Sequence, residues 1–370
     1  MSRLLFDCTR LVESGLHTGI QRVVRCLSAA AKRKLSDSNC DVLAVTFADD
    51  QWNAFDYLAP HPCQGLGIQP QPKSWPIMPG KDDILLLFDA SWYAKPWPAV
   101  DAALNRGARL VGMVHDLLPM EHPEWFREGL EQRFSEHLYQ LSQRAEHIFV
   151  PTETVRGRLL KRLRDQDNLL PINVLAHGGD FCTVTPTYEE IESFKNFLPG
   201  PATVDDPLYL VVGTLEPRKN HSIVLDAFDS LWAEGQKPRL LFVGNIGWQV
   251  DLLLKRLKEH PMLNKLLFHS SNLSDPALLW LIRNSTALIY LPKDEGFGLP
   301  VLEASMQACP VIASDISVLR EAGKDWPCYI NPSCIDGLIR AITSPSRTNN
   351  SKVNHRTWDD TALQLGSFLL

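Results

Sequence analysis

The sequence lacks several signatures that would have settled its class at once. No apolar run approaches the roughly 20 residues needed to span a bilayer. The start, "MSRLLFDCTRLV", has a short apolar run broken by Asp7 and Arg10 and no small-residue cleavage site, so a secretory signal is not expected. Eight cysteines, at 8, 26, 40, 63, 182, 309, 328 and 334, form no CxxC pair and no His/Cys cluster with zinc spacing. They read as buried free thiols of a reducing compartment, and the expected location is cytoplasmic. The charge balance is mild, 37 Lys+Arg against 43 Asp+Glu, a net charge of −6, which makes a general nucleic-acid partner a poor expectation. There is no low-complexity tract and no internal repeat.

What remains is an ordinary globular composition, 45% hydrophobic and 22% charged, over 370 residues, enough for two domains with a core each. Short apolar runs alternate with helical spacing: "RLLFDCT", "DVLAVTF", "DILLLFD", "RLVGMVHD", "HIFVPT" and "INVLAHG" are separated by stretches such as "GIQRVVRCLSAAAKRKL" and "EGLEQRFSEHLYQLSQRA". Strand and helix in alternation predict a parallel sheet covered on both faces. Prolines 186, 199, 201 and 207 then crowd a segment that reads as a linker containing a short helix. A second series follows, "LYLVVGT", "RLLFVGN", "KLLFHS", "ALIYLP" and "PVIAS". The reading is two doubly wound domains in tandem: 1–190, a linker 191–206, 207–349, and a closing helix in 350–370. Ligands of such sheets bind at the carboxyl ends of the strands, and the cleft between two such domains is the natural site.

Three stretches carry chemistry. In "VVGTLEPRKNHSIVLDAF" a strand ends at Gly213, and Arg218 and Lys219 precede a helix start with Asn220 or Ser222 as N-cap. Two cations beside a helix N-terminus suit a phosphate, although a solvated loop pair has the same local pattern. In "DEGFGLPVLEA" Glu295 and Glu303 stand eight positions apart, with Pro300 in the first helical turn. Glu295 falls in the loop and Glu303 about one turn of roughly 3.6 residues into the helix. The glycines between them let backbone N–H groups approach a ligand, and carboxylates accept hydrogen bonds from sugar hydroxyls. A dipole-pairing Glu303 and a surface Glu295 would account for one acid but not for the glycine loop. Third, "RLVGMVHDLLP" delivers His115 and Asp116 at a strand end, where His115 is either a satisfied structural histidine or a contact for a sugar hydroxyl or leaving group. The turn "ESGLHTGIQRVVR", with Gly15, Thr18 and Gly19, looks like a phosphate or substrate loop but matches no dinucleotide fingerprint.

"GTLEPRKN", "FVG…GW", "EGFGLPVLEA", "PVIASD" and "VLREAG", in that order, resemble the retaining family 4 glycosyltransferases of the GT-B fold, and "GIQRVVR", "VHDLLP" and "VPTETVRGRL" resemble a subgroup common in bacterial surface-polysaccharide clusters. The resemblance covers nearly the whole chain. It implies two Rossmann-like domains facing across a cleft. It also implies transfer of a sugar, mannose-type favoured, from a nucleotide diphosphate sugar to a glycan or polyprenyl-linked acceptor. Arg218 and Lys219 would hold the diphosphate, Glu303 the ribose, and Glu295 with Gly296, Phe297, Gly298 and Leu299 the transferred sugar. His115 would sit over that sugar from the other domain, Gly19 would line the cleft, and the helix around Trp358 would cross back to the first domain. No metal is expected, a GDP-linked donor is favoured, and "HSSNLSDPAL" lies near the base. Two positions depart from the family pattern: Thr214 stands where an arginine often follows the strand-end glycine, and Ala308 where a glycine is usual.

Other readings are a GT-B nucleotide-sugar epimerase, a catalytically silent GT-B glycan-binding partner, and an NAD enzyme, which would need a glycine fingerprint that is not convincing here. Two basic helices, with Arg22, Arg25, Lys32 and Arg33 on one and Arg158, Lys161, Arg162 and Arg164 on the other, raise the expectation of peripheral contact with an anionic membrane face. Val155, Leu159, Leu160 and Leu163 share the second, and a solvated face fits equally.

Overall fold

The computed structural model describes residues 2–14, 19–36, 40–48, 50–55, 73–164, 170–181, 199–271, 273–344 and 356–370. These residues divide into two compact units, the boundary falling between Gly178 and Gly179, with Arg356–Leu370 returning to the first. Half of the expected linker, and the short helix expected in it, lie outside the described residues.

The first unit is built on β1 (Ser2–Asp7), β2 (Cys40–Ala48), β3 (Gln51–Phe55), β4 (Ser74–Ile77), β5 (Asp83–Leu87), β6 (Arg109–Met113), β7 (His147–Val150) and β8 (Ile172–Val174), in the order β4-β3-β2-β1-β5-β6-β7-β8. Six strands are parallel; β3 and β4 form an antiparallel extension at one edge. The sequence reading did not find that extension, because "QWNAF" and "SWPI" are too short and too polar to stand out from loop. Burial explains the rest. β5 is buried at every position, as expected of a strand covered on both faces. The helix Leu130–Arg144 buries one stripe that includes Phe134, Leu138 and Leu141, whereas Gly19–Leu35 is buried at every position from Val23 to Ala31. The closing helix Trp358–Leu369 begins with a capping box made by Thr357 and Asp360, and Trp358 beneath it is 1% exposed.

The second unit holds β9 (Leu208–Val212), β10 (Arg239–Val243), β11 (Leu267–Ser270), β12 (Ala287–Tyr290), β13 (Val311–Ser314) and β14 (Cys328–Ile330), all parallel, in the order β11-β10-β9-β12-β13-β14. Relative to its own first strand this is the order 3-2-1-4-5-6 of a dinucleotide-binding sheet, and it reverses between β9 and β12. In the first unit the reversal falls between β1 and β5. Such crevices at the carboxyl ends of strands are where ligands enter, so the loops after β1, β5, β9 and β12 are the ones to inspect.

The six described cysteines are free thiols, four of them buried. Among the described residues no helix is long and apolar enough to cross a membrane.

Candidate active site

The switch point of the second unit is assembled from two loops. After β9 the chain passes through Gly213 into the short helix Pro217–Lys219, then the helix His221–Ala233; after β12 it runs through residues 291–298 into the helix Leu299–Met306. One backbone bond fastens the loops together, Lys293 N–H to Arg218 O at 2.8 Å. Asn220 occupies the N-cap position at φ 62°, yet its side chain does not cap: Nδ2 donates to Pro332 O at 2.8 Å.

Two donors and a guanidinium converge on one oxygen. Glu295 Oε1 accepts from Lys219 Nζ and from Tyr290 Oη at 2.8 Å, and Arg218 Nη1 stands 2.8 Å from it. Arg218 Nη2 also pairs with Glu216 at 2.8 Å, and Lys219 Nζ donates to Tyr290 Oη at 2.8 Å. Glu216 and Glu295 are buried, and the Arg218 and Lys219 side chains are only 15% and 12% exposed. Burial alone would drive the Glu295 carboxyl upward, but Arg218 and Lys219 outweigh it and hold it at about 2. Lys219 is lowered by burial and by Arg218, against the pull of Glu295 and Glu216. Tyr290 is raised far above its ordinary range, first by burial and then by Glu295, so it stays a phenol and donates. An ammonium carries three protons. Two of those on Lys219 are directed to Tyr290 and Glu295, which leaves one to turn toward an incoming acceptor.

Glycine permits the approach at two places. Gly298, at φ 97°, caps the start of the helix Leu299–Met306, and a Cβ there would lie 2.3 Å from Leu319 Cδ2. A Cβ on Gly244 would lie 1.9 Å from the Gly213 carbonyl oxygen, which accounts for the first glycine of "FVG…GW": the loop after β9 packs directly on the one after β10. Glu303 is buried in the helix Leu299–Met306, and Phe297 and Leu299 are buried beside its start. Arg218, Lys219, Gly296, Phe297, Gly298, Leu299, Glu295 and Glu303 thus all belong to the switch point of one unit. Ala308 adopts φ 57°, the left-handed conformation in which a glycine would be unstrained.

His115 and Gly19 belong to the first unit. His115 lies two residues past β6, and its Nε2 donates to Phe88 O at 2.7 Å. A carbonyl can only accept, so the proton is on Nε2 and the Nδ1 lone pair is the available acceptor. Burial lowers the ring to about 4, against that hydrogen bond, and it is neutral at pH 7. His177, buried and stacked on Trp358, lies 6.0 Å from it. Gly19 opens the helix Gly19–Leu35; residues 15–18 before it lie outside the described residues.

Sequence reasoning missed Glu216 and Tyr290. Each had a signal, Glu216 two residues before Arg218 and Tyr290 as the last polar-tipped residue of β12. It also missed a buried network at the switch point of the first unit. Asp7 accepts from Thr9 N–H at 3.0 Å, Thr9 Oγ1 at 2.5 Å and Ser91 Oγ at 2.5 Å. Asp89 accepts from Leu11 N–H and Ala90 N–H, each at 2.7 Å, and from Gln21 Nε2 at 3.2 Å.

Comparison with known proteins decides what the ion cluster belongs to. The glycosyl transferases group 1 model matches residues 194–352. This segment is a glycosyl transferases group 1 domain. It contains every member of the cluster. The chain is 30% identical to the serotype-specific mannosyltransferase WbdA of Escherichia coli over 97% of its own length, and it spans 44% of that relative. Among solved structures it is similar to Anabaena Alr3699/HepE, in complex with UDP and glucose, at TM-score 0.62 and 14% identity over 100% of this chain and 96% of that one. It is likewise similar to sucrose-phosphate synthase from Thermosynechococcus elongatus, at TM-score 0.66 and 15% identity over 100% and 98%. Its two α/β units match those of GT-B glycosyltransferase structures.

Proposed function

We propose that the protein is a retaining family 4 hexosyltransferase. It moves a sugar, mannose-type favoured, from a nucleotide diphosphate sugar to a growing surface polysaccharide or lipid-linked glycan. The observation that carries the reading is the convergence of Arg218, Lys219 and Tyr290 on Glu295 at the switch point of a glycosyl transferases group 1 domain. The mannosyltransferase WbdA among its relatives favours the sugar, and with it a GDP-linked donor.

The cluster suits a leaving diphosphate. Glu216 and Glu295 neutralise the two cations in the resting protein, so burial of Arg218 and Lys219 is tolerated. A diphosphate entering beside them would take the remaining Lys219 proton and share the Arg218 guanidinium. Its charge would be met by fixed groups that need little reorganisation, and the reading assigns no metal to that task. Glu303 would take the ribose hydroxyls. Glu295, with the backbone of Gly296, Phe297, Gly298 and Leu299, would hold the transferred sugar. Gly19 would lie along the phosphates, and the His115 Nδ1 lone pair would accept from a sugar hydroxyl. In a front-face substitution the bond from the anomeric carbon to the diphosphate breaks while that to the acceptor oxygen forms on the same face, and the acceptor proton passes to the departing phosphate oxygen.

Calorimetric titration with GDP, UDP and ADP, without added metal, tests the site. The expected result is tight binding of GDP, lost in Lys219→Ala and in Glu303→Ala. No nucleotide binding by the folded chain would sink the reading in favour of a silent glycan-binding partner, and conversion of the sugar nucleotide without acceptor would make it an epimerase.

The same reading places the protein in the cytoplasm, against the inner face of the plasma membrane. Leu160, Lys161 and Arg162 are exposed on the helix Glu153–Arg162 and its edge, whereas Val155 and Leu159 are buried in the unit's own core. On the other basic helix Arg25 is buried, and Arg33 pairs with Asp359 at 2.5 Å. The contact is therefore mainly electrostatic and should vanish at high salt. Co-sedimentation with anionic liposomes at low ionic strength is expected; failure to bind there would remove the membrane from the proposal.

A further inference from the structure

The first unit contains a cavity of about 570 Å³ made only of its own residues, within the range of roughly 300–1,000 Å³ typical of small-ligand pockets. The segment that follows β5 supplies Trp92 and Trp97 to its wall. The helix Leu130–Arg144 supplies Gln132, Arg133, Glu136 and His137.

The aromatic part of the wall is held in place. Trp92 meets Phe134 edge-on with ring centroids 5.3 Å apart, and the His137 ring lies 6.0 Å from Trp92 and 5.0 Å from Trp97. Arg144, gripped by Asp101 at 2.6 and 3.0 Å, stands 5.4 Å from the Trp97 ring centre. Behind the wall, Trp92 Nε1 and His137 Nδ1 are buried and have no partner among the described residues. Nearly all buried polar atoms in folded proteins are partnered. His137 is 8% exposed, and burial lowers its ring to about 4, so it offers no positive charge at neutral pH. Gln132, Arg133 and Glu136 are exposed side chains of mixed charge, and Lys95 is the other cation among the described residues of the wall.

A pyranose fits this combination. Its C–H face is apolar and stacks on indole; its rim of hydroxyls bonds amide, carboxylate and guanidinium. We propose that this cavity is a glycan subsite that holds a neutral sugar unit of an oligosaccharide chain on residues none of which belongs to the Arg218–Lys219–Glu295 cluster. The loop that bears Trp92 also carries the Phe88 carbonyl that fixes His115 and the Ser91 hydroxyl that binds Asp7. A chain seated in the cavity therefore touches the same loop that orders the switch point of this unit. The choice of a glycan as ligand rests on the glycosyl-transfer reading.

The test is titration of the full chain, without nucleotide, with a linear α-mannotriose, followed by tryptophan fluorescence and calorimetry. Saturable binding is expected, weakened at least about tenfold in Trp97→Ala and in the exposed pair Gln132→Ala with Glu136→Ala. The exposed pair guards against a folding defect at the half-buried Trp97. Both variants should keep nucleotide binding, and Lys219→Ala should lose nucleotide but keep the trisaccharide. Absence of saturable binding, or equal binding by both cavity variants, overturns the proposal. So does competitive displacement by inorganic pyrophosphate, which would make the cavity an anion site. If the trisaccharide binds here while no nucleotide binds anywhere, this inference stands and the donor reading falls.

Discussion

The two switch points solve the same problem in opposite ways. Each delivers buried carboxyl groups to the carboxyl ends of parallel strands: Asp7 and Asp89 after β1 and β5, Glu216 and Glu295 after β9 and near β12. In the first unit the hydrogen bonds to the two acids among the described residues come from neutral donors. Burial then dominates, and with Asp7 beside it Asp89 is pushed up to about 6; Asp7 itself is raised by burial. In the second unit two cations, Arg218 and Lys219, stand against Glu295 beside the neutral phenol of Tyr290, and Glu295 is held at about 2 although it is as fully enclosed. The number of hydrogen bonds does not set the charge state; the charge of the donor does. The first arrangement is a structural knot, and the second is a balanced ion set that an arriving anion can rebalance.

The largest expected effect comes from upsetting that balance. Glu295→Gln keeps the shape but leaves Arg218 and Lys219 with Glu216 as the remaining carboxylate of the cluster. Stripping one partner from a buried ion set costs about 3–5 kcal/mol. Urea melts, with amide exchange in β12 to locate the loss, should show a drop of that size at pH 7. A drop below about 1 kcal/mol would mean that the cluster is solvated enough to behave like a surface pair, and the contrast between the two units would collapse.

Much of this was legible in the sequence. Except for β3, β4 and β14, the strands of both sheets announce themselves as apolar runs, and Pro300 and the glycines fix the start of the helix Leu299–Met306. Arg218, Lys219 and Glu295 were readable because two local patterns, each ambiguous alone, followed the strands β9 and β12, which lie side by side in one sheet. What could not be read was pairing across the fold. Nothing local connects Tyr290 with Lys219, 71 residues apart, or Ser91 with Asp7, 84 apart. Nor did the sequence separate the buried Arg25 from the exposed Lys161: both sit in basic helices, and only packing distinguishes them. The departure at Ala308 was visible as a residue, but its meaning, a left-handed turn filled without glycine, required the backbone.

A smaller effect sharpens the comparison from the other side. If Asp89 is raised because it lies in a neutral cage beside a second acid, then weakening the second acid should bring it down. Asp7→Asn can keep the Thr9 N–H bond on its carbonyl oxygen and turn its amide N–H toward Ser91, so the cage survives. A carboxyl raised in the folded state stabilises fully below its unfolded value near 3.8, and that contribution is lost as pH rises through about 6. His115 and His137, both lowered to about 4 by burial, act with the opposite sign: their protonation favours the unfolded chain as pH falls from 6.5 to 4. In the wild type these slopes oppose one another. The histidines are common to both proteins, so the difference between wild type and Asp7→Asn isolates the acid pair. The variant should gain stability relative to wild type on going from pH 4.5 to pH 6.5, because it lacks the raised Asp7 carboxyl and because Asp89 falls, with about 1.4 kcal/mol for each pKa unit of upward shift removed from the pair. Parallel urea melts at the two values would read it. Equal pH dependence in the two proteins would show both that Asp7 is not itself raised and that burial alone raises Asp89, leaving Asp7 to contribute shape rather than charge to the switch point.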